Sequence, residues 1–275
     1  MSGSGSGSGN GSTSGATRRV LVLGGTAEGR RLAERLAADG VPVVSSLAGR
    51  VRRPALPPGE VRVGGFGGPD ALAQWLRDER IAAVVDATHP FAAQITAHAV
   101  AAAAATGVPL LVVRRPGWAA VPGDAWIRRP TLAAAAEALD DLGERVLLTT
   151  GRQGLSAFAG RGEWFLVRLV DGRGGWADTP DEPLPARCRV VTERGPFTVE
   201  GETALLREHA IDVVVTKDSG GDATVAKLVA ARRLGLPVVV VDRPPLPAGV
   251  TAVEDVEAAA AWAGSAQAPD GTMGG

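Results

Sequence analysis

Residues 19–33 constrain the fold of this chain more than any other part of the sequence. They begin with a short apolar run at 20–23, which is typical of a fully buried strand. The run stops at two glycines, Gly24 and Gly25, and a helical pattern that includes Leu32 starts within a few residues. A glycine turn between a buried strand and a helix lets backbone approach a ligand closely, and it points the free N–H groups of the helix at an anion. The stretch therefore predicts an α/β domain with a phosphate site at its first turn.

The spacing of this turn departs from the usual G-x-G-x-x-G, because Thr26 sits where the middle glycine would be. A tight turn in an ordinary α/β domain, with no ligand, remains the alternative interpretation. As a dinucleotide site, the turn would hold the pyrophosphate, and we expect the hydroxyl of Thr26 to face it. The candidate cofactor-binding residues of the turn are Gly24, Gly25, Thr26, Ala27, Glu28 and Gly29.

Composition limits the function classes that this chain can serve. Its 275 residues suffice for two modest domains or one large one, and 45% apolar residues suit a globular core. A formal net charge of −1 gives no reason to expect a nucleic-acid or membrane partner. The single cysteine, Cys188, excludes an internal disulfide and a cysteine-built metal site, so we expect a cytoplasmic protein without a metal. No apolar run approaches the roughly 20 residues of a membrane span.

Alternating strand and helix patterns fill the chain between two loose ends. The Gly/Ser-rich residues 1–17 and the residues 264–275 are predicted to be flexible tails. In the first half, further strands are predicted at 41–46, 61–65, 81–85 and 108–113, with helices at 69–77 and 92–105. Such alternation favours right-handed βαβ units and a parallel sheet, whose ligands bind outside the carboxyl ends of the strands. Three motifs that follow strands, including the first turn, should therefore lie along one rim.

The motif after the second predicted strand suggests which dinucleotide would bind. An acidic residue there favours NAD, whereas arginine with small hydroxyls accommodates the 2′-phosphate of NADP. Ser45, Ser46 and Arg50 occupy this place and no acid does, so a dinucleotide site here would be an NADP site, with Ser46 and Arg50 as ligands. A solvated arginine beside two turn serines is the alternative.

The motif after the 81–85 strand carries the first candidate catalytic residue. We expect Asp86 and Thr88 to contact the cofactor, and Thr88 and His89 to border the nicotinamide or the substrate. A histidine before proline at a strand end is also commonly a structural hydrogen-bonding group, and that interpretation stays open.

A second α/β series follows a change of composition at 118–130, which is rich in Pro, Gly, Trp and Arg. Its strands are predicted at 146–150, 164–170, 189–192, 211–216 and 237–241, and its helices at 131–142, 203–209, 223–234 and 253–262. A loop is expected at 171–185. We therefore predict two tandem Rossmann-like domains, each with a mainly parallel sheet flanked by helices. They span residues 18–117, which bind NADP, and 118–263, which bind the substrate, and the active site lies in the cleft between them.

Two strand ends of the second domain form a candidate anion site. A lysine, a hydroxyl and the first N–H groups of a helix suit a carboxylate or phosphate, and these occur at Lys217, Asp218 and Ser219. The facing half would be Thr150, Gly151 and Arg152. Helix capping with a solvated Lys217, and a tight turn with an exposed Arg152, are the alternatives.

Two well-known motifs match only in part and are rejected on context. Residues 218–221 spell part of the nucleophile loop of trypsin-like proteases, but those domains are all-β and disulfide-bonded. No histidine or acid is evidently placed in the sequence to serve Ser219. The turn at 24–29 is followed by two arginines rather than the Lys-Ser/Thr of a P-loop.

Five motifs in order resemble the precorrin-6A reductase family. They are LGGTAEGR at 23–30, LAGR at 47–50, DATHPFA at 86–92, TTGR at 149–152 and TKDSGG at 216–221, and the resemblance covers roughly residues 19–246. It implies two Rossmann-like domains, with NADP in the first and a tetrapyrrole in the cleft. The implied reaction is hydride transfer from NADPH to a carbon–carbon double bond of precorrin-6A in cobalamin biosynthesis, giving precorrin-6B. Members of the family often carry asparagine where this chain has Asp218.

A substrate edged with carboxylates should be bound by basic groups and helix N-termini. The expected substrate-binding residues are Arg114, Thr150, Gly151, Arg152, Lys217, Asp218 and Ser219. His89 and Lys217 are the candidate catalytic residues. The proton donor is open between water, His89 and an acid of the substrate.

Two other functions remain open at this stage. A cofactor-free enzyme of the uroporphyrinogen-III synthase type also has two α/β domains around a tetrapyrrole, but it would need no nucleotide turn. A non-catalytic NADP sensor would keep the first rim and would not need the basic second rim. The sequence is compatible with a monomer and does not determine the oligomeric state.

Overall fold

The computed structural model describes residues 18–49, 56–169, 182–193 and 195–266. The predicted tail at 1–17 and residues 267–275 of the tail predicted at 264–275 lie outside these ranges. Arg50 and residues 171–181 of the predicted loop lie outside them as well. Within the described ranges, no helix is long and apolar enough to cross a membrane. The same ranges contain no group of three or more His, Cys, Asp or Glu side chains that could hold a metal ion.

The first half of the chain forms most of one parallel sheet. Its strands in chain order are β1 (Arg19–Leu23), β2 (Val43–Leu47), β3 (Glu60–Val63), β4 (Ile81–Asp86) and β5 (Leu110–Val113). The helices between them are α1 (Ala27–Ala38), α2 (Pro69–Asp78) and α3 (Ala93–Thr106). The hydrogen-bonded order of these strands is β5-β4-β1-β2-β3, so the chain reverses direction across the sheet between β1 and β4.

A second sheet repeats this arrangement. Its strands are β6 (Ala125–Arg129), β7 (Arg145–Thr149), β8 (Trp164–Leu169), β9 (Cys188–Thr192), β10 (Val213–Lys217) and β11 (Pro237–Val241). Its helices are α4 (Leu132–Glu137), α5 (Val199–Glu208) and α6 (Ala226–Leu234). The sheet order is β6-β11-β10-β7-β8-β9, and the pairings are parallel. Two Rossmann-like sheets flanked by helices are thus confirmed.

The two halves exchange their outermost strands. β6 follows β5 in the chain, yet it pairs with β11 of the second sheet. The chain then returns, and a short last strand, β12 (Ala252–Val253), pairs with β5 of the first sheet. The final helix, α7 (Val256–Ser265), packs its Ala259 and Ala263 into the same core as Leu32 of α1.

This exchange corrects the predicted domain boundary at residue 263. β12 and α7 belong to the first domain, although they end the described chain, and the helix extends past the predicted start of the C-terminal tail at 264. Local patterns cannot reveal this, because an apolar strand edge fits either sheet equally well. The crossing region predicted at 118–130 also contains a strand, β6, which its Pro- and Arg-rich composition concealed.

A buried charged cluster lies under α5 and α6 of the second domain. Arg168 of β8 and Glu202 of α5 form an ion pair of 2.7 Å, and both side chains are almost wholly buried. Nearby, Lys227 of α6 is 4% exposed and donates a hydrogen bond to the carbonyl of Thr224. Burial, together with the positive charge of Arg168, lowers the pKa of Lys227 to about 7.

Lys227→Met should change how folding stability depends on pH. The pKa of Lys227 falls from an ordinary 10.5 to about 7 on folding, so between these values the unfolded chain binds more protons than the folded one. The free energy of unfolding of the wild type should therefore rise with pH across this range, by roughly 4 kcal/mol in total. The methionine variant should lack this rise when both proteins are unfolded in denaturant at pH 7 and pH 10.

The composition limits the number of other groups that could contribute to this pH dependence. The chain has no tyrosine, and its only other lysine is Lys217, so few groups titrate in this range. Lys217→Met is the matched control and should keep the slope. Parallel curves for wild type and Lys227→Met would contradict the prediction.

Candidate functional site

The first glycine turn joins the ends of three strands. The Gly24 N–H donates to the carbonyl of Ser46 at the end of β2, and the Ala87 N–H after β4 donates to the carbonyl of Leu23, both at 2.9 Å. Because parallel strands end at the same edge of the sheet, this rim holds the motifs expected to bind a dinucleotide. The structure thus brings together the turn, the β2 end and the β4 end.

The hydroxyl of Thr26 has a local role that differs from the predicted one. It caps α1 by accepting from the N–H of Gly29 at 3.0 Å, and it donates its proton to the carbonyl of Ala87 at 2.7 Å. A hydroxyl that has given its proton to a carbonyl cannot also donate it to a pyrophosphate. What Thr26 offers a phosphate is its backbone, together with the first-turn N–H groups of Ala27 and Glu28, which have no partners within the helix.

The glycines of the turn have different reasons to be glycine. Gly25 has a φ of 108°, which side chains rarely adopt, and a Cβ placed there would meet no atom within 4 Å. The turn is therefore open on the side where a ligand would lie. Gly29 is buried, and a Cβ there would lie 3.1 Å from the Cα of Gly24, so glycine lets α1 pack closely on the turn.

At the far end of the rim, Ser46 is nearly buried and its hydroxyl lies 3.3 Å from a guanidinium nitrogen of Arg62. Arg62 was not among the predicted ligands. The only sequence signal for it is an arginine two residues before a glycine-rich loop, and its side-chain direction cannot be read from that pattern. Arg50, the predicted 2′-phosphate ligand, lies outside the described residues.

Asp86 supports the rim from below instead of facing the cleft. Its side chain is almost fully buried, and its carboxylate accepts hydrogen bonds from the N–H and hydroxyl of Thr88 and from the hydroxyl of Thr96. Both oxygens are thus used within the protein. The structure gives Asp86 the role of fixing the Thr88–His89 turn, which differs from the predicted cofactor contact.

His89 crosses the cleft to the second domain. Its Nε2 lies 3.1 Å from the hydroxyl oxygen of Ser219, and its Nδ1 accepts from the N–H of Phe91 at 3.3 Å. Since Nδ1 is an acceptor, the ring proton is on Nε2, which donates to Ser219. No pattern in the sequence indicated a histidine beside Ser219, and the structure corrects that. The pair is still not a protease dyad, because a histidine that donates to serine is not its base and no carboxylate orients Nδ1.

The surroundings of His89 keep it neutral. Burial, and after it the positive charges of Arg115, Lys217 and Arg243, together lower its pKa to about 4. At neutral pH the ring therefore carries one proton and no charge. It can hold Ser219 in place, but it is a poor source of a proton for a substrate.

Asp218 is engaged within the protein and does not face a substrate carboxylate. Its side chain is nearly buried, and it accepts from the backbone N–H of Trp118 at 3.0 Å and from the guanidinium of Arg128 at 2.8 Å. These bonds tie the end of β10 to β6 and to the segment that enters the second domain. The predicted substrate contact of Asp218 is thus replaced by a structural one.

The remaining residues of the second rim surround Lys217. Its ammonium donates to the carbonyl of Gln153 and lies 5.4 Å from the ring centre of Phe91, a first-domain residue that packs against the second core. Gly151 has a φ of 77°, and a Cβ there would meet nothing within 4 Å. The hydroxyl of Thr150 is buried without a hydrogen-bond partner among the described residues. Such a group costs about 1–3 kcal/mol unless something satisfies it.

Arg115 connects the two rims, and sequence reasoning missed it. Its guanidinium donates to the carboxylate of Glu28 in the first turn of α1 at 2.8 Å and to the carbonyl of Ser219 at 2.7 Å. The neighbouring Arg114, a predicted substrate ligand, donates instead to the carbonyl of Pro244 at 2.7 Å in the returning segment. The sequence shows two arginines after β5. Which of them contacts the second rim depends on how the chain passes from the first domain to the second, and local patterns do not predict this.

Comparison with known proteins identifies one family of similar sequences and structures. The family model described as Precorrin-6x reductase CbiJ/CobK matches residues 19–264. The precorrin-6A reductase of Rhodococcus erythropolis is 55% identical over 249 residues, which cover 90% of this chain and 98% of that protein. The precorrin-6A reductase of Mycobacterium tuberculosis (strain ATCC 25618 / H37Rv) is 54% identical over 244 residues, with 89% and 96% covered. The solved structure of CobK precorrin-6A reductase superposes with a TM-score of 0.81 at 46% identity, and covers 90% of this chain and 97% of that one.

The titration of His89 can be checked directly. In nitrogen-15 NMR spectra, His89 should appear as the neutral form protonated on Nε2 at pH 7 and should titrate with a pKa of about 4. His89→Asn identifies the signals among the three histidines of the chain. Titration near the ordinary value, or a proton on Nδ1, would contradict the geometry.

Arg115→Ala should lower the free energy of unfolding by about 2–3 kcal/mol. It leaves the mostly buried Glu28 carboxylate with only its longer pair to Arg31 at 3.5 Å among the described residues, and it removes the donor to the Ser219 carbonyl. Denaturant unfolding followed by tryptophan fluorescence measures this. Arg30→Ala is the control, since its pair with Glu34 is exposed and long at 3.9 Å, and its loss should change stability by under about 0.5 kcal/mol. Equal effects of the two variants would show that Arg115 does not hold the domains together.

Proposed function

Because this chain belongs to the precorrin-6x reductase family CbiJ/CobK, we propose that it reduces a carbon–carbon double bond of precorrin-6A with NADPH, giving precorrin-6B. The single observation that carries the proposal is the contact of 3.1 Å between His89 and Ser219. This contact supports an arrangement in which the rim suited to a dinucleotide lies opposite the rim suited to an anionic substrate. Hydride transfer needs the two reacting groups to be held face to face, and such an arrangement would allow it.

The first rim has the features that a dinucleotide needs. The open space at Gly25 and the free first-turn N–H groups of α1 fit a pyrophosphate. When bound, NADPH supplies the hydride. Ser46, without any acidic residue at the end of β2, supports NADP over NAD, and Arg50 stays a predicted ligand of the 2′-phosphate.

The second rim supports a substrate that carries carboxylates. Lys217 offers an ammonium group, and Gly151 leaves space for a ligand to approach the backbone. The unsatisfied hydroxyl of Thr150 would gain a partner from a bound acid group. Arg152 on this rim and Arg114 after β5 stay predicted ligands.

The reduction consumes one hydride and one proton for each double bond. The hydride adds to one carbon, and the other carbon takes the proton. Neutral His89 is not suited to give that proton, since its pKa of about 4 leaves almost no imidazolium at neutral pH. We therefore assign His89 the task of positioning Ser219, and Lys217 the task of holding positive charge where substrate acids and developing negative charge would lie.

A substitution at Lys217 tests whether the two rims bind different ligands. Lys217→Ala should lower kcat/KM for precorrin-6A by about 10–100-fold, the range expected for one charge-assisted hydrogen bond, and should leave the Kd of NADPH unchanged. Arg77→Ala is the control, because Arg77 lies on α2 and donates only to the carbonyl of Ala105. Equal losses of NADPH and precorrin-6A binding in Lys217→Ala would contradict the assignment of rims.

Titration of the wild type with NADPH and NADH, followed by turnover of precorrin-6A, tests the function itself. Absence of NADPH binding would overturn it and leave a cofactor-free tetrapyrrole enzyme. Binding without turnover would favour an NADP sensor. The cytoplasmic location and the monomeric state stay predictions from the sequence.

A further inference from the structure

Arg62 is held in a fixed orientation beside the end of β2. It is directly paired with Ser46 in the register of β2 and β3. Its two terminal nitrogens donate to the carbonyls of Gly64 and Gly65 at 2.7 and 2.6 Å, and one of them also reaches the Ser46 hydroxyl. The guanidinium lies 3.7 Å from the ring centre of Phe66, which stabilises a planar cation. The side chain is therefore preorganised.

The charge of Arg62 lacks a counterion among the residues that the structure describes. Its partners among these residues are carbonyls, a hydroxyl and aromatic rings, whereas Arg115 pairs with the carboxylate of Glu28. Arginine stays charged in proteins. Burial lowers the pKa of Arg62 from its ordinary value, which shows that its charge is partly removed from water without compensation.

The guanidinium also keeps hydrogen-bonding capacity. It has five N–H donors, and the described contacts use three of them, one each to Ser46, Gly64 and Gly65. The Nε–H and one terminal N–H are left over. Donors on a fixed, planar cation suit a tetrahedral dianion such as a phosphate monoester.

We propose that Arg62 binds the 2′-phosphate of NADPH and so contributes to the choice of NADPH over NADH, an inference that rests on the proposed cofactor. The position supports the 2′-phosphate over the pyrophosphate. The Gly24 turn, where a pyrophosphate would lie, bonds to the carbonyl of Ser46, and Arg62 lies on the other side of that residue. The end of the second strand is where the adenosine ribose meets a dinucleotide-binding sheet.

Binding of 2′,5′-ADP and of 5′-ADP by calorimetry tests this without the substrate. Arg62→Ala should weaken 2′,5′-ADP binding about 10–100-fold and change 5′-ADP binding by less than about threefold. Arg62→Gln removes the charge while keeping an amide that can donate to the Gly64 carbonyl, so it should show the same selective loss. Arg77→Ala, which removes an arginine from the neighbouring α2, should change neither affinity.

The outcomes separate this inference from the function on which it rests. Equal weakening of both ligands, in the variant that stays folded by circular dichroism, would overturn it and leave Arg62 as a brace of the Gly64–Gly65 turn. So would an unchanged preference for 2′,5′-ADP in either folded variant. A wild type that binds both ligands equally would overturn the choice of NADPH as well. Selective loss of 2′,5′-ADP affinity in both Arg62→Ala and Arg62→Gln would support the inference.

Discussion

Three hydrogen bonds from one guanidinium hold the place where the chain passes between its two domains. Arg243 donates to the carbonyls of Arg115 and Pro116 in the outgoing segment and to the carbonyl of Asp218 at the end of β10. The packing is so close that a Cβ on Gly220 would lie about 2 Å from Arg243 and from the Pro116 carbonyl. The loop after β10, which faces the first rim, is therefore positioned by this crossing of the chain as well as by its own sheet.

The exchange of β6 and β12 explains why this contact matters. Each sheet obtains its last edge strand from the other half of the chain, so neither sheet is complete unless both crossings are in place. Arg115 then uses the same segment to connect the first turn of α1 with Ser219. A cleft built this way would hold the proposed cofactor and substrate in register, as transfer between them requires.

Local patterns were enough for most of the elements, but not for β6 and β12. The strand-turn-helix at 19–33 and the alternation that follows depend on neighbours in sequence. The roles of Thr26, Asp86 and Asp218 could not be read in the same way. A hydroxyl or carboxylate at a strand end suits a ligand and a backbone N–H equally well, and only the tertiary contacts decide between them. The contacts of Arg62 and Arg115 and the exchange of edge strands could not be predicted for the same reason. Each depends on which other segment of the chain lies alongside in the folded protein.

The charge of the cleft follows from the same crossing. The chain as a whole has a formal net charge of −1, yet the arginines at 115 and 243 converge with Lys217 around His89 and lower its pKa. Burial is the largest cause of this low pKa, and these three cations, which make the potential around the ring positive, lower it as well. Such a potential would attract the proposed anionic cofactor and anionic substrate to the same cleft. A positive potential also lowers the pKa of any acid on the protein, so such an acid would be deprotonated and could not give a proton. The proton for the proposed reduction should therefore come from water or from the substrate.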